Sequence, residues 1–360
     1  MFSKLSSKVN FIAVTLLFLI LVVLRETGIF NNYVMGILML ACISIIMTAS
    51  LNVATGYLGQ LVIGHAGFMA IGAYTAALIT KAFANADILN GSGIENFFRF
   101  IIAIIAGGIL AAIFGVLVGA PTLRLKGDYL AIATLGFGEI IRVIIQNLKI
   151  CGGKGLAQGS AGQALIGINR LADFYVVYWI TVLSLAFLFC FARSRYGRVL
   201  KAIREDEIAA TAVGIKTTRY KILAFSMSAF FAGLAGGIFA HYLGTLAPGT
   251  FDFNKSIEYV IMGVFGGMSS FSGSVIAGTV LTVLPEALRS FADYRMLAYS
   301  VALILVMIYR PQGLFGSYEF SLTEQLDKYF DFTNKVQARK EKKAAEKKAG
   351  KAAAGEGGEK

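Results

Sequence analysis

The sequence predicts an all-α polytopic membrane protein with about ten transmembrane helices, and eight as the lower bound. Two observations support this fold class. First, 57% of the 360 residues are hydrophobic, 15% are charged, and the mean hydropathy is +0.70. A soluble domain of this length contains fewer apolar and more charged residues. Second, charge-poor runs that approach the roughly 20 residues of a helical span recur along most of the chain.

Ten such runs are the predicted spans. In chain order they are Val9–Leu24, Tyr33–Thr55, Leu61–Thr80, Phe100–Leu123, Tyr129–Leu148, Phe174–Ala192, Ile222–Leu243, Tyr259–Phe271, Ser274–Pro285 and Met296–Tyr309. The first run and the last three are short or interrupted by Gly and Ser. One of these four runs could be a re-entrant segment, or two of them could form a single bent element. Either interpretation would leave eight or nine spans.

Basic residues predict the orientation, because Lys and Arg in short loops stay on the cytoplasmic side. Lys4 and Lys8 place the N-terminus inside, and residues 193–221 hold eight basic residues against three acidic ones. That loop is predicted to be cytoplasmic, with six spans before it and four after it, so both termini are cytoplasmic. Arg25 and Glu26 stand where a signal peptide would need small residues, so the first run is interpreted as an uncleaved helix.

Two regions are expected. Residues 1–318 form the transmembrane domain, with its loop at 193–221, and residues 319–360 form a Lys-rich cytoplasmic tail that is largely disordered. The tail carries nine basic and four acidic residues from Lys335 to Lys360, so much of the net charge of +12 lies there and does not indicate nucleic-acid binding. The three cysteines have no metal-binding spacing, and no metal site is predicted.

Small residues at helical spacing predict close contacts between helices, because helices in lipid associate through van der Waals packing. The rows are Gly107, Ala111, Gly115 and Gly119; Gly233 and Gly237; Ala232, Gly236 and Ala240; and Ala66, Ala70, Ala73 and Ala77. They predict a compact bundle.

The stretch GYLGQLVIGHAGF, residues 56–68, lies in a run from Thr27 to Thr80 without a charged residue, yet four glycines interrupt it. It is either an irregular segment that lines a path through the membrane or loose packing between two helices. The YLGQL at 57–61 resembles the YLGTL at 242–246, which the predicted topology puts on the opposite side. An inverted repeat is one interpretation. Chance similarity in a chain rich in Gly and Leu is the other.

Glu139 and Arg142 form a predicted intramembrane ion pair, because residues at i and i+3 share a helix face and can neutralise each other. A purely structural pair near an interface is the alternative. Motifs of nucleotide-binding enzymes and metalloproteases are missing: GGKGLAQGS from Gly152 has the wrong order for a phosphate loop, and His65 and His241 stand outside any HExxH pair. The chain is therefore expected to catalyse no reaction and to bind no cofactor itself.

Four segments together resemble the membrane permease family of branched-chain amino-acid ABC importers. They are GYLGQLVIGHAGFMAIGAY, GDYLAIATLGFGEIIRVIIQN, REDEIAATAVGI followed by RYKILAFSMSAFFAGLAGG, and YVIMGVFGGMSSFSGSVIAG. The resemblance covers about residues 35 to 315. It implies a second, related permease subunit, two ATPase subunits that bind the ATP, and an extracytoplasmic protein that delivers leucine, isoleucine or valine. It also implies a bacterial cytoplasmic (inner) membrane.

The resemblance assigns ATPase coupling to the 193–221 loop. Its matching residues are Arg204, Glu205, Asp206, Glu207, Ala210 and Gly214, whereas Ile208 stands where the general pattern of such importers has Glu. Without the resemblance, this charge run would be interpreted as a solvated face.

A path through the glycine-interrupted stretch would be lined by few polar groups and an apolar wall, as suits a zwitterion with an aliphatic side chain. The predicted path residues are Asn52, Tyr57, Gln60, His65 and Phe68. For His65, a hydrogen bond that packs two helices is the alternative. Two other functions stay open: an ABC permease for urea or another small polar solute, and an ion-coupled secondary transporter with Glu139 in the ion site.

Overall fold

The computed structural model describes residues 31–85, 93–125, 127–148 and 164–288, together with single positions in 15–26 and 300–316. The chain divides into two compact units, Phe30–Glu319 and a unit of Met1–Ile29 with Phe320–Lys360. In the smaller unit the described positions between 15 and 26 are helical. The tail at 319–360 and Cys151 lie outside the described residues, as do half of the first predicted span and most of the tenth.

Helices make up nearly all of the larger unit over the ranges described. They are α1 Asn32–Asn52, α2 His65–Asn85, α3 Gly93–Thr122, α4 Asp128–Asn147, α5 Phe174–Arg193, α6 Arg195–Glu205, α7 Glu207–Ala212, α8 Thr217–Leu243, α9 Phe253–Gly266 and α10 Phe271–Ala287. A π-helical turn, Val53–Tyr57, continues α1, and a 3₁₀ turn, Pro248–Phe251, precedes α9. Two short strands, β1 Leu165–Ile166 and β2 Thr245–Leu246, pair antiparallel with Leu165 opposite Leu246. The all-α fold class is confirmed.

Five helices in the described part of the chain are long and apolar enough to cross a membrane: α1 with its π turn, α2, α3, α5 and α8. They coincide with predicted spans, as does the 20-residue α4. The eighth predicted span, Tyr259–Phe271, is wrong in its boundaries, because the chain turns at residues 267–270 and divides this run between α9 and α10. Gly267 and Ser269 have φ angles of 109° and 77° there, which an α-helix does not allow. Ser270 then caps α10 by accepting a hydrogen bond from the Gly273 N–H.

Helix α8 packs against α1, α2 and α3 through small residues, as the sequence predicts. A Cβ at Gly72 of α2 would collide with the carbonyl oxygen of Gly233 of α8. A Cβ at Gly107 of α3 would lie 2.7 Å from the carbonyl oxygen of Gly72. Because these three backbones touch, a side chain at any of the three glycines would force the helices apart.

The direction of α8 defines two ends of the bundle. Helices α6 and α7 lie at the start of α8, and the β1–β2 pair lies at its end. The 27 residues of α8 separate these two ends by about 40 Å. We call these ends the loop side and the hairpin side. Helix α1 begins on the hairpin side, where a Cβ at Gly36 would lie 2.6 Å from the Tyr242 hydroxyl oxygen, and ends on the loop side.

The two similar YLG segments lie at opposite ends of the bundle. Gly59 follows α1 on the loop side with φ 76°, and Gly244 ends α8 on the hairpin side with φ 77°. The matching left-handed glycines favour the inverted repeat, which stays a prediction.

Candidate functional site at a break between two membrane helices

The first two helices of the larger unit are separated by irregular backbone at residues 53–64, which we call the helix break. Helix α1 widens into a π turn, in which the Leu58 N–H donates to the Val53 carbonyl at 3.2 Å. Residues 58–64 are not helical, and α2 starts only at His65. Gly59 takes the left-handed conformation that glycine adopts at little cost, so the chain can leave the helix here.

Asn52 joins the helix break to the turn between α9 and α10. Its buried Oδ1 accepts a hydrogen bond from the Ser269 N–H at 2.7 Å. Its Nδ2 donates to the Ser270 carbonyl at 3.0 Å and to the Ser274 hydroxyl at 2.9 Å. Gly56 leaves the room for this side chain, because a Cβ there would collide with Asn52 Oδ1. One amide therefore satisfies three polar groups that are buried away from water.

Arg204, at the end of α6, reaches into the helix break from the loop side. Its Nη1 donates to the Gly56 carbonyl and to the Ser269 hydroxyl, each at 2.6 Å. Gly56 ends a helical segment, so its carbonyl lacks the usual partner within the helix. A charged donor makes this replacement bond a strong one. The side chain crosses over Gly59, where a Cβ would lie 2.7 Å from Arg204 Cγ.

The second half of the GYLGQLVIGHAGF stretch packs on α4. The Ile63 N–H donates to the Thr134 hydroxyl at 3.2 Å. A Cβ at Gly67 would lie 2.9 Å from the Cα of Gly138, so the two backbones are in contact. All four segments that carry the family resemblance thus meet around the helix break: residues 56–74, α4, Arg204 with α8, and the α9–α10 turn.

The five predicted path residues lie in or beside the helix break. Asn52 makes the bonds just described, and Tyr57 stacks on Phe271 with ring centroids 5.3 Å apart. Lys201 of α6 makes a cation–π contact with the same tyrosine, with its Nζ 5.1 Å from the centroid of the Tyr57 ring.

The remaining three path residues differ in their contacts. His65 shares a 2.9 Å hydrogen bond with Ser50, and Phe68 contacts Phe225 edge to face. The buried Oε1 of Gln60 has no hydrogen-bond partner among the described residues. The contacts of His65 and Phe68 are those of packed helices, and the role of all five residues in a path stays a prediction.

Glu139 and Arg142 of α4 form the predicted ion pair, with Arg142 Nε 2.7 Å from Glu139 Oε2. Both side chains are partly exposed. The pair thus forms as the spacing predicts, while its role stays a prediction.

The predicted coupling residues build the short helix α7 and its supports. Asp206 caps α7 by accepting hydrogen bonds from the N–H groups of Ile208 and Ala209. Glu207 forms an ion pair with Lys221 at 2.6 Å. Ala210 is buried, whereas Glu205 is exposed. These residues fix α7 to the start of α8.

Gly214 ends α7 in the left-handed conformation, with φ 88°. The Ile215 N–H donates to the Ala210 carbonyl and the Gly214 N–H to the Thr211 carbonyl, the two bonds of a Schellman motif. Gly214 therefore ends the short helix, while its role in coupling stays a prediction.

Sequence reasoning did not foresee the exposure of two apolar residues of this loop, and it missed one serine of the break. Ile208 and Val213 are 78% and 82% exposed. Their signal was their apolar character in a segment that is otherwise charged or small. Ser269 was missed because only the fold brings it to Arg204, although the Gly-Gly before it signals a turn.

Comparison with known proteins agrees with the resemblance. Residues 33–310 match the family model of the branched-chain amino acid transport system permease component. The chain is 37% identical to the high-affinity branched-chain amino acid transport system permease protein LivM of Salmonella typhimurium over 299 residues, 76% of this chain and 67% of LivM. The identity to LivM of Escherichia coli K12 is also 37%, over 302 residues, 76% of this chain and 68% of that protein.

The permease LivH of Salmonella typhimurium is a more distant relative, with 27% identity over 278 residues, 72% of this chain and 87% of LivH. No solved structure matches the chain. Together with the apolar helices, the match over residues 33–310 shows a multi-pass membrane protein and a transport component. The chain belongs to the family of branched-chain amino acid transport system permease components.

Proposed function

We propose that the chain is the transmembrane permease subunit of an ABC importer that moves branched-chain amino acids into the cytoplasm, driven by ATP hydrolysis on separate ATPase subunits. The contact of Arg204 with Gly56 and Ser269 carries the proposal, because it joins an exposed loop to the irregular backbone between two membrane helices. A movement of the loop would act directly on the helix break. The names of the LivM relatives supply the substrate class.

The proposed assembly contains a second permease subunit, two ATPase subunits and an extracytoplasmic binding protein. Similarity to both LivM and LivH supports a partner of related sequence. The loop side faces the cytoplasm in this proposal, because the 193–221 loop holds eight basic residues against three acidic ones. Both termini then lie in the cytoplasm, and the membrane is the bacterial cytoplasmic membrane.

Helix α7 is the proposed docking element for an ATPase subunit. Ile208 and Val213 expose apolar surface to water, which a partner would cover. Val213 and Gly214 also line a groove of about 430 Å³ with Tyr196 and Tyr220. Ala210 supports α7 from the buried side. Arg204 would serve as the link from the docked helix to the helix break.

Reconstitution in proteoliposomes tests the proposal. The chain is purified with its partner permease and ATPases, and uptake of labelled leucine is measured with the binding protein outside and ATP inside. We expect uptake that needs ATP and all subunits, and that an uncoupler of the proton gradient leaves intact. Leucine uptake by the permeases alone, driven by an ion gradient, would contradict the proposal.

The Glu139→Gln variant separates the ABC importer from an ion-coupled transporter. Glu139 is paired with Arg142, so its loss should lower assembly or rate without making uptake depend on a proton gradient. An uncoupler that abolishes wild-type uptake at constant ATP would favour the ion-coupled transporter instead.

Import of a different solute is the second candidate function. The chain is 29% identical over 187 residues to the autoinducer 2 import system permease protein LsrC of Shigella flexneri, 50% of this chain and 53% of LsrC. The name of a related permease thus refers to a solute other than a branched-chain amino acid. Unlabelled urea, sugars and amino acids are each added to the cognate binding protein loaded with its labelled ligand. The class of compound that displaces the label distinguishes the two candidates.

A further inference from the structure

A pocket of about 380 Å³ opens between α1, α8, α9 and α10, away from the helix break. It lies toward the hairpin side, because its α1 residues, such as Ile37 and Leu40, come from the first half of that helix. Its α10 wall includes Leu281 and, near the end of the helix, Glu286. On the proposed orientation, the pocket faces the extracytoplasmic side.

The first two turns of α9 form the charged wall of the pocket. Lys255 Nζ lies 2.8 Å from Glu258 Oε2 and 5.2 Å from the ring centroid of Tyr259. Across the pocket, Glu286 accepts a hydrogen bond from the Tyr33 hydroxyl. The pocket therefore presents one ammonium group and two carboxylates, while the side chains of Lys255 and Glu258 keep 29% and 38% of their surface exposed.

On the proposed orientation, the length of α9 would place this ion pair within the depth of the membrane. Fourteen residues of α-helix span about 21 Å, whereas the hydrocarbon core is about 30 Å thick. The far end of α9 is held at the loop side, since the turn that follows it binds Arg204 through Ser269. Charges at such a depth are costly to bury and usually mark a functional site.

Much of the remaining lining is apolar. It includes Ile37, Leu40 and Leu281, together with Phe239 of α8. A pocket of this size with few polar groups on an apolar background is typical of small-molecule sites. An inorganic cation would gain nothing from the aliphatic wall and would be repelled by Lys255.

We propose that this pocket holds the amino acid when it first enters the permease. The ligand is a zwitterionic α-amino acid with a branched aliphatic side chain. Its ammonium group binds Glu258 and Glu286, its carboxylate binds Lys255, and its side chain contacts Ile37, Leu40 and Leu281. The site rests on the proposed function, which it deepens by naming an entry point on the side opposite Arg204.

The test uses the complete complex in proteoliposomes, with labelled leucine uptake and ATP hydrolysis measured together. Glu258→Gln and Lys255→Met should each lower the leucine moved per ATP about tenfold, because tenfold corresponds to about 1.4 kcal/mol, the scale of one charge-assisted hydrogen bond. Stimulation of ATP hydrolysis by loaded binding protein should stay, since both variants leave α7, the proposed ATPase docking element, unchanged. Lys81→Met is the matched control, because Lys81 lies toward the same side and donates to the Ile166 carbonyl outside the pocket.

A charge swap separates binding from structure. The double variant Lys255→Glu with Glu258→Lys keeps an ion pair but exchanges the positions of its ammonium and carboxylate groups. A purely structural pair would be rescued by the swap, and normal uptake in the double variant would overturn the proposed site. We expect uptake to stay low.

The apolar wall gives a readout that does not depend on the charges. Leu281→Phe narrows the pocket, so leucine uptake should fall more than uptake of the smaller valine. If a charge variant fails to assemble, the ratio of leucine to valine uptake by Leu281→Phe tests the proposed site instead. An unchanged leucine-to-valine ratio would contradict the site, whereas absence of leucine uptake in the wild-type complex would instead contradict the proposed function.

Discussion

The guanidinium of Arg204 lies 2.6 Å from the carbonyl oxygen of Gly56, a residue 148 positions away in the sequence. Gly56 belongs to the π turn that ends α1, and Arg204 belongs to the last turn of α6. A polar loop and an irregular membrane segment therefore share one hydrogen bond. Ser269 closes the group by donating to the same carbonyl at 2.7 Å, so the α9–α10 turn is joined to the other two segments.

Asn52 is expected to stabilise this group of segments. Replacing it by Leu keeps its approximate volume but takes away the acceptor of the buried Ser269 N–H. It also removes one hydrogen bond each from the Ser270 carbonyl and the Ser274 hydroxyl, which stay bonded to each other. Each buried polar group left without a partner costs about 1–3 kcal/mol. We expect a clear drop in the midpoint of thermal unfolding of the purified complex.

Thr282→Val provides the control for Asn52→Leu. Thr282 donates only to the Gly278 carbonyl of its own helix, so its loss should shift the midpoint much less. Equal midpoints for Asn52→Leu and the wild type would show that the Asn52 bonds do not hold the segments together.

Gly214 is expected to shape α7 through its backbone. Nothing lies within 4 Å of a Cβ at this position, so added bulk meets open space within the chain, but the φ of 88° is unfavourable for other residues. Gly214→Leu should cost about 1–2 kcal/mol in the local conformation and release the ATPase subunits. Co-purification of tagged ATPases measures the loss.

Gly214→Asn is the matched variant, because Asn tolerates the left-handed conformation better than Leu. It should retain more ATPase than Gly214→Leu. If both variants lose the ATPases equally, bulk at a docked surface rather than backbone conformation would explain the effect.

Ile208 and Val213 are expected to supply the apolar contact with an ATPase subunit. Ile208→Ser and Val213→Ser remove exposed apolar surface and should weaken ATPase co-purification about tenfold or more, as for central residues of an interface. Ala209→Ser, on the same helix, serves as the control. Full ATPase recovery with both apolar residues replaced would exclude α7 as the docking element.

The apolar runs of the sequence predict α1 to α5 and α8 well, because each of these helices is a long charge-poor segment. The same criterion fails at Tyr259–Phe271, where a turn lies inside an apolar run. Hydropathy carries no signal for such a turn, and only the Gly-Gly and Ser-Ser pattern at 266–270 indicates it. Backbone conformation, rather than polarity, decides the boundary there.

The sequence indicates which residues belong to the candidate site but not which of them contact each other. The glycines of residues 56–68 permit a break between helices, and residues 58–64 are not helical. Spacing along the chain cannot reveal that Arg204 binds Gly56 or that Asn52 binds Ser269, because both contacts depend on how distant helices pack. The family motif indicates that Arg204 matters, and the fold turns its side chain toward the membrane segments.

The most direct test of the link between loop and helix break is the number of leucine molecules transported per ATP hydrolysed by Arg204→Met. This variant removes the charge-assisted bonds to Gly56 and Ser269 but leaves α7 and its exposed residues unchanged. Arg198→Met is the matched control on α6, because Arg198 is exposed and contacts only the Arg193 carbonyl at 3.4 Å among the described residues. We predict normal ATPase co-purification for both variants, with the transport ratio lowered about tenfold or more in Arg204→Met alone, since two charge-assisted bonds are lost. A wild-type ratio in Arg204→Met would contradict a role of this residue in coupling ATP hydrolysis to transport.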